Sequence, residues 1–174
     1  MPVLQTLFML TLEASTLGVF IDRWANQPEN TISQFLYEDT VYRILFTFYT
    51  LKHITLLFWG AKGQVQPIAL VLAGLGWIWL IICTNHGSRL LHILGAAVYI
   101  VFIFVFAYAH STDYPWAVKI AIQLTTTATV ILAIVFAYFE SHRSHVTYIL
   151  EHSLFAMCQV MYSFFTHIPP ERLA

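Results

Sequence analysis

Six runs of about twenty mainly apolar residues, divided by short polar breaks, take up nearly the whole chain. They cover residues 3–21, 41–59, 66–84, 89–110, 117–139 and 146–166. At a rise of 1.5 Å per residue, such a run matches the hydrocarbon thickness of a bilayer, about 30 Å. A backbone in lipid has no water to bond to, so each run must close its own hydrogen bonds, which it does as a helix. The breaks carry loop chemistry: "DRWANQPENTISQFLYED", "GAKGQVQP", "TNHGS", "HSTDYP" and "ESHRSH". The expectation is an all-α, polytopic membrane protein. A six-helix transmembrane bundle would account for residues 1–174 as a single transmembrane domain.

Composition narrows the function classes. Only 10% of the residues are charged, against about 25% in soluble domains. The net charge of −1 argues against a nucleic-acid partner, which calls for a basic face. No polybasic tail offers itself to anionic lipids. Cys83 and Cys158 both lie in apolar runs, and their spacing suggests neither a disulfide framework nor a cysteine-based zinc site. The opening "MPVLQTLFMLTLEASTLGVF" lacks the basic start of a secretory signal and is interrupted by Glu13, so it reads as a retained first span.

Six antiparallel spans put the first, third and fifth connections on one side of the membrane. That side gathers Asp22, Arg23, Glu29, Glu38, Asp39, Arg43, His86, Arg89, His92, Glu140, His142, Arg143, His145, Glu151 and His152. The other receives Lys62, His110, Asp113, Lys119, His167, Glu171 and Arg172. One end of the bundle is therefore charged and the other nearly bare. Lys and Arg divide four to three between the sides, so the positive-inside rule sets no orientation.

An ionisable residue inside a span costs about 2.5–3.5 kcal/mol at the helix centre, so it usually faces the bundle or a polar cavity. Glu13 sits ~12 Å inside the first span. Lys52 and His53 lie past the middle of the second, His92 in the first turn of the fourth, and Glu151 and His152 one to two turns into the sixth. On the sixth run Ser144, Tyr148, Glu151, His152, Gln159 and Tyr162 share one broad helical face. Glu151 and His152 point about 100° apart and should seek different partners. Glu13 and His92 match them in depth, and Lys52 could reach Glu151 by stretching its stem outward. The plainer reading is that these groups pin helix packing. Likewise the "QLTTTAT" hydroxyls can bond their own i−4 carbonyls or a neighbouring helix.

Three sharper readings compete with packing. A zinc site could draw on Glu140, His142 and His145, completed by His86, His92 or His152, and would activate water against a lipid ester or amide. No His-Glu-x-x-His motif accompanies it. A b-type haem needs two facing histidines at one depth; His92 and His152 are the best pair, but haem is disfavoured. The third reading is a lipid-headgroup site at the charged end.

The sixth run, "SHVTYILEHSLFAMCQVMYSFFTH", resembles the last span of the damage-regulated autophagy modulator family. The superfamily also includes the lipid-remodelling factor that acts after GPI attachment. Its last span opens on a polar lead-in and a Glu followed by an aromatic, then runs to a Phe-rich end. Glu151 fits the acid, His152 stands where the aromatic would be, and "YSFFTH" fits the end. "NTISQFLYEDTVYRILF" is similar to the Ile-Ser segment and the aromatic-basic start of the second span, and "TNHGSRLLHILGAAVYI" to the start of the fourth. Ser33, Arg43, His92 and Glu151 are the matching positions. The resemblance implies lipid handling in an endomembrane (Golgi, ER or lysosome) or the plasma membrane: GPI-anchor remodelling, autophagy modulation or control of lipid distribution.

The expected function is to bind, or help remodel, membrane lipids without catalysing a reaction, in company with other membrane proteins. No complete nucleophile–base or metal constellation is evident in the sequence. The site would comprise Glu13, Arg43, Lys52, His92, Tyr148, Glu151 and His152, with lipid as the bound molecule and no cofactor. The alternatives are a metal-dependent intramembrane lipid hydrolase using Glu140, His142 and His145, and a structural subunit of a membrane complex.

Overall fold

The computed structural model describes residues 39–84, 89–141 and 147–173, with isolated positions between 11 and 36. Five helices carry the described chain: α1 (Thr40–Gly60), α2 (Val65–Thr84), α3 (Arg89–Ser111), α4 (Trp116–Ser141) and α5 (Thr147–His167). A 3₁₀ turn, Pro170–Arg172, follows. No strand occurs among the described residues. Each helix begins and ends within two residues of an apolar run, while the run 3–21 lies largely outside the described residues.

Local chemistry sets the ends. Asp39 caps α1: its Oδ1 accepts from the amides of Val41 and Tyr42 at 2.9 and 3.1 Å, satisfying donors that a first turn leaves open. Arg23 grips the other carboxylate oxygen, with Nε at 2.7 Å and Nη2 at 2.6 Å. Between α1 and α2 the chain turns at Gly63, whose φ of +63° suits a residue without Cβ. After α5, Pro169 and Pro170 lack the amides a longer helix would need.

Val65–Cys83, Leu91–Ser111 and Trp116–Phe136 are long and apolar enough to cross a membrane. α1 and α5, at 21 residues each, reach a similar length but interrupt their apolar character with Lys52 and His53 and with Glu151 and His152. Outward faces are apolar at helical spacing: Ile68, Val71, Leu75 and Ile82 on α2, Val98, Val101 and Val105 on α3, Ile120, Leu124, Ile131 and Ile134 on α4. Buried positions include Thr50, His53, Gln66, His110, Glu151 and His152. Oil outside and polarity inside is the arrangement lipid demands.

Cross-helix contacts set the register. Phe46 meets Phe155 at 5.9 Å, Tyr49 meets Ser163 at 3.2 Å, and His53 meets Thr166 at 3.0 Å, so α1 and α5 run parallel. α2 and α3 pack antiparallel so closely that a Cβ on Gly76 would stand 2.5 Å from the Tyr99 amide, and one on Gly95 would stand 2.8 Å from that of Leu80. The centre is an aromatic knot from four helices. Trp77 lies 5.6 Å from Phe46 and 5.1 Å from Tyr99, and Phe155 lies 6.5 Å from Tyr99 between ring centroids.

Candidate functional site

Of the residues expected to cluster at the charged end, those described stand at different depths. Glu151 is 4% exposed and His152 7%, and Glu151 lies near enough to the buried Tyr42 phenol for their charges to interact. Arg43, next along α1, is half-buried and donates from Nη2 to the Thr40 hydroxyl at 3.4 Å. His92 is half-buried on α3. Taking the Tyr99–Phe155 contact as the common level, His92 sits seven residues outward and Glu151 four, a difference of ~5 Å along the axis. Lys52 is ten residues, ~15 Å, along α1 from Tyr42. Its ammonium lies 5.2 Å from the Tyr49 ring centroid, a cation–π contact. Lys52 thus stands with the deeper hydroxyl groups rather than beside Glu151.

Glu13, His142 and His145 lie outside the described residues, as do the side chains of Glu140 and Tyr148. Among the described residues, no three His, Cys, Asp or Glu side chains gather where one metal ion could be held.

Between the ends runs a buried polar seam. His53, fully buried, shares a hydrogen bond from Nδ1 with Thr166, and its ring packs on Tyr49 and Tyr162 at 4.5 and 5.8 Å. The hydroxyls of Tyr49 and Ser163 pair one turn away. Nearer the aromatic knot, Thr50 Oγ1, Trp77 Nε1 and both amide atoms of Gln159 are buried without a hydrogen-bond partner among the described residues. Tyr99 and Tyr162 bring their hydroxyls close enough to interact, short of good hydrogen-bond geometry. On α4 the threonines do bond back to their own helix: Thr126 to Ile122, Thr127 to Gln123 and Thr129 to Thr125, each at 2.8 Å. Thr129 also reaches Met157 Sδ on α5 at 3.8 Å.

The end read as nearly bare holds a compact ionisable network. Gln66, in the first turn of α2, accepts from the Lys62 amide at 2.9 Å and donates from Nε2 to Asp113 at 2.9 Å and the Ala109 carbonyl at 3.4 Å. His110 Nδ1 lies 3.3 Å from both Gln66 Oε1 and Asp113 Oδ2. Both partners are acceptors, which assigns the proton to Nδ1. Asp113 comes within reach because α3 ends in a tight turn, with the amides of Asp113 and Tyr114 bonded to the carbonyls of His110 and Ser111. Phe106 stacks on the His110 ring at 5.0 Å, and Phe165 and Tyr114 meet it edge-on.

Tyr114 donates to the Ile168 carbonyl at 2.8 Å. Burial first, then the negative charges of Glu171 and Asp113, push its phenol up to about 12. Glu171 forms an exposed ion pair with Lys62 at 3.4 Å. Its own backbone amide, and then Lys62, hold its carboxyl below the usual range.

Two cavities open at this end. One of about 220 Å³ lies among α1, α3, α5 and the 3₁₀ turn, lined by Lys62, His110, Thr166 and Glu171 with Leu56, Phe165 and Pro169. The other, an apolar groove of about 530 Å³, lies between α4 and α5, lined by Ala117, Ala121, Thr125, Val160, Phe164, Ile168 and Leu173. Phe165 borders both. Sequence reasoning passed over this site because its charges are few. The signals were present: His110 and Asp113 stand three apart at the end of a span, Gln66 is polar in an apolar run, and the double proline turns Glu171 back.

No protein-family model matches the chain, and no curated protein or solved structure does either. The resemblance to the damage-regulated autophagy modulators therefore rests on the short motifs alone.

Proposed function

We propose that this chain is a multispan membrane protein that binds membrane lipid and serves lipid handling or remodelling, as the motif resemblance implies. α1, α5 and the run 3–21 would then cross the membrane with α2, α3 and α4, making six spans. α1 and α5 support this by turning His53, Glu151 and His152 inward, which removes the chief obstacle to placing them in lipid. An endomembrane or the plasma membrane is the expected location.

The observation that carries the reading is the α4–α5 groove. Its volume of about 530 Å³ falls within the ~300–1,000 Å³ usual for small-molecule sites. It is walled by side chains from two helices and is almost wholly apolar. For a chain immersed in bilayer, the abundant molecule of that shape is an acyl chain. Binding rather than hydrolysis is the reading.

The test is to purify the protein in mild detergent and quantify co-purified lipid and metal by mass spectrometry and elemental analysis. At least one lipid class should be enriched over the source membrane. Ala121→Phe and Val160→Phe, which fill the groove, should lower lipid per chain severalfold with helix content unchanged. Equal lipid in wild type and both variants would refute the groove. One zinc per chain would favour the hydrolase.

A further inference from the structure

Resting on that lipid-binding reading, we infer that the cavity beside the groove receives the headgroup of the bound lipid, and that this headgroup is zwitterionic: a phosphate ester bearing a primary ammonium. Position comes first. Trp59 and Trp116, 82% and 76% exposed, stand at this same end of α1 and α4, where amphipathic aromatics mark a membrane–water interface. The cavity lies at headgroup depth and the groove extends from it towards the hydrocarbon.

Continuity is the second argument. Phe165 lines both spaces, and the 3₁₀ turn straddles them, with Glu171 on the cavity and Leu173 on the groove. One amphipathic molecule can therefore lie across the turn, with its chain on the apolar side and its head on the polar side.

Charge is the third. Lys62 and Glu171 face each other at 3.4 Å on the rim, both exposed. A zwitterion entering between them exchanges one ion pair for two: its phosphate meets Lys62, and its ammonium meets Glu171. A purely anionic head gains Lys62 but meets the Glu171 carboxylate, while a purely cationic one meets Lys62. Beneath the rim, His110 and Thr166 line the cavity, His110 held in orientation by Gln66 and Asp113 and Thr166 by its bond to His53. The ammonium class follows from the lining. A quaternary ammonium is favoured by a cage of aromatic faces, and Phe165 is the aromatic residue among the cavity's lining residues. A primary ammonium instead donates hydrogen bonds, and Glu171 accepts them.

The experiment loads full-length protein into vesicles containing equal parts phosphatidylethanolamine, phosphatidylcholine and phosphatidylglycerol. It then re-extracts the protein in mild detergent and counts retained lipid by mass spectrometry. Wild type should retain phosphatidylethanolamine at least fivefold over each of the others. Glu171→Lys should reverse the preference towards phosphatidylglycerol, and Glu171→Gln should bring the phosphatidylethanolamine preference to within twofold of phosphatidylcholine. Both substitutions are on an exposed side chain, and circular dichroism checks that the helices persist. Millimolar O-phosphoethanolamine, which lacks the chains, should leave the retained lipid unchanged. If lipid is retained without headgroup preference, or the preference ignores Glu171, the headgroup inference fails and the groove reading survives. If wild type retains no lipid, both fail. If O-phosphoethanolamine strips the lipid, the shared two-cavity site is refuted.

Discussion

Asp39 shows how much one side chain carries at the mouth of α1. Partial burial pushes its carboxyl up, but the Tyr42 amide, Arg23 and the Val41 amide together outweigh this and hold it below the ordinary carboxylate value. A group whose pKa is depressed on folding stabilises the fold above its unfolded value and loses that contribution as pH falls through the folded one. Thermal stability in detergent should therefore decline below about pH 4. Asp39→Asn should flatten that decline while keeping most of the cap, whereas Asp39→Ala should cost about 1 kcal/mol at neutral pH. Differential scanning fluorimetry across pH 3–7 separates these outcomes, and a variant as acid-sensitive as wild type would remove Asp39 from the account. The residue scale is also where the sequence was least legible. Glu151 and His152 could be placed inside the bundle from their position in an apolar run, and they are buried. Lys52 was expected to reach Glu151 only by stretching its stem outward, and the ring of Tyr49, which its ammonium contacts, could not be read from spacing.

Helices were far easier to read than contacts. Polar breaks with Gly, Pro and charged residues bound each apolar run, so run boundaries and the described helix boundaries agree within two residues. Which face of which helix meets which neighbour depends on side-chain volumes summed across the interface, and periodicity alone does not contain that. The α2–α3 pair illustrates the point. Gly76 and Gly95 bring two backbones into direct apposition, as small residues do between membrane helices. Gly76→Ala places a methyl 2.5 Å from a backbone nitrogen that cannot rotate away, so the helices must separate. Gly74, two residues earlier, has only the γ2 methyl of Ile54 nearby, at 3.8 Å. Gly76→Ala should lower the melting temperature by several degrees, and Gly74→Ala should leave it within about one or two degrees. Comparable melting of both variants in detergent would contradict the close approach.

For the whole molecule, where charges meet says more than how many lie on each side. Counting residues by side made one end rich and the other bare. Yet Lys62, His110 and Glu171, few as they are, converge on one cavity where helix ends and a 3₁₀ turn meet, and Gln66 and Asp113 hold His110 in place. Number of charges is a property of the sequence; their convergence belongs to the fold. The alternation of helices also fixes sidedness. Lys62→Cys and Asp113→Cys should both react with a membrane-impermeant maleimide from one face of sealed vesicles, and Asp39→Cys only from the other. Labelling of all three from a single face would break the alternating arrangement and the six-span reading with it.

α5 has a consequence for how the protein is made. It presents Leu154, Phe155, Cys158, Met161, Tyr162 and Phe165 to the interior, besides Glu151 and His152, and it emerges from the ribosome after the four helices that surround those side chains. Alone in lipid it would be a poor stop-transfer segment, with a carboxylate and an imidazole turned towards acyl chains. If α5 crosses the membrane as proposed, its insertion would be a docking event against side chains of the earlier helices, among them His53 and Tyr49 of α1 and Phe106 of α3. A chain without α5 would lack the partners that Tyr49, His53 and Tyr99 find there, namely Ser163, Thr166, Tyr162 and Phe155.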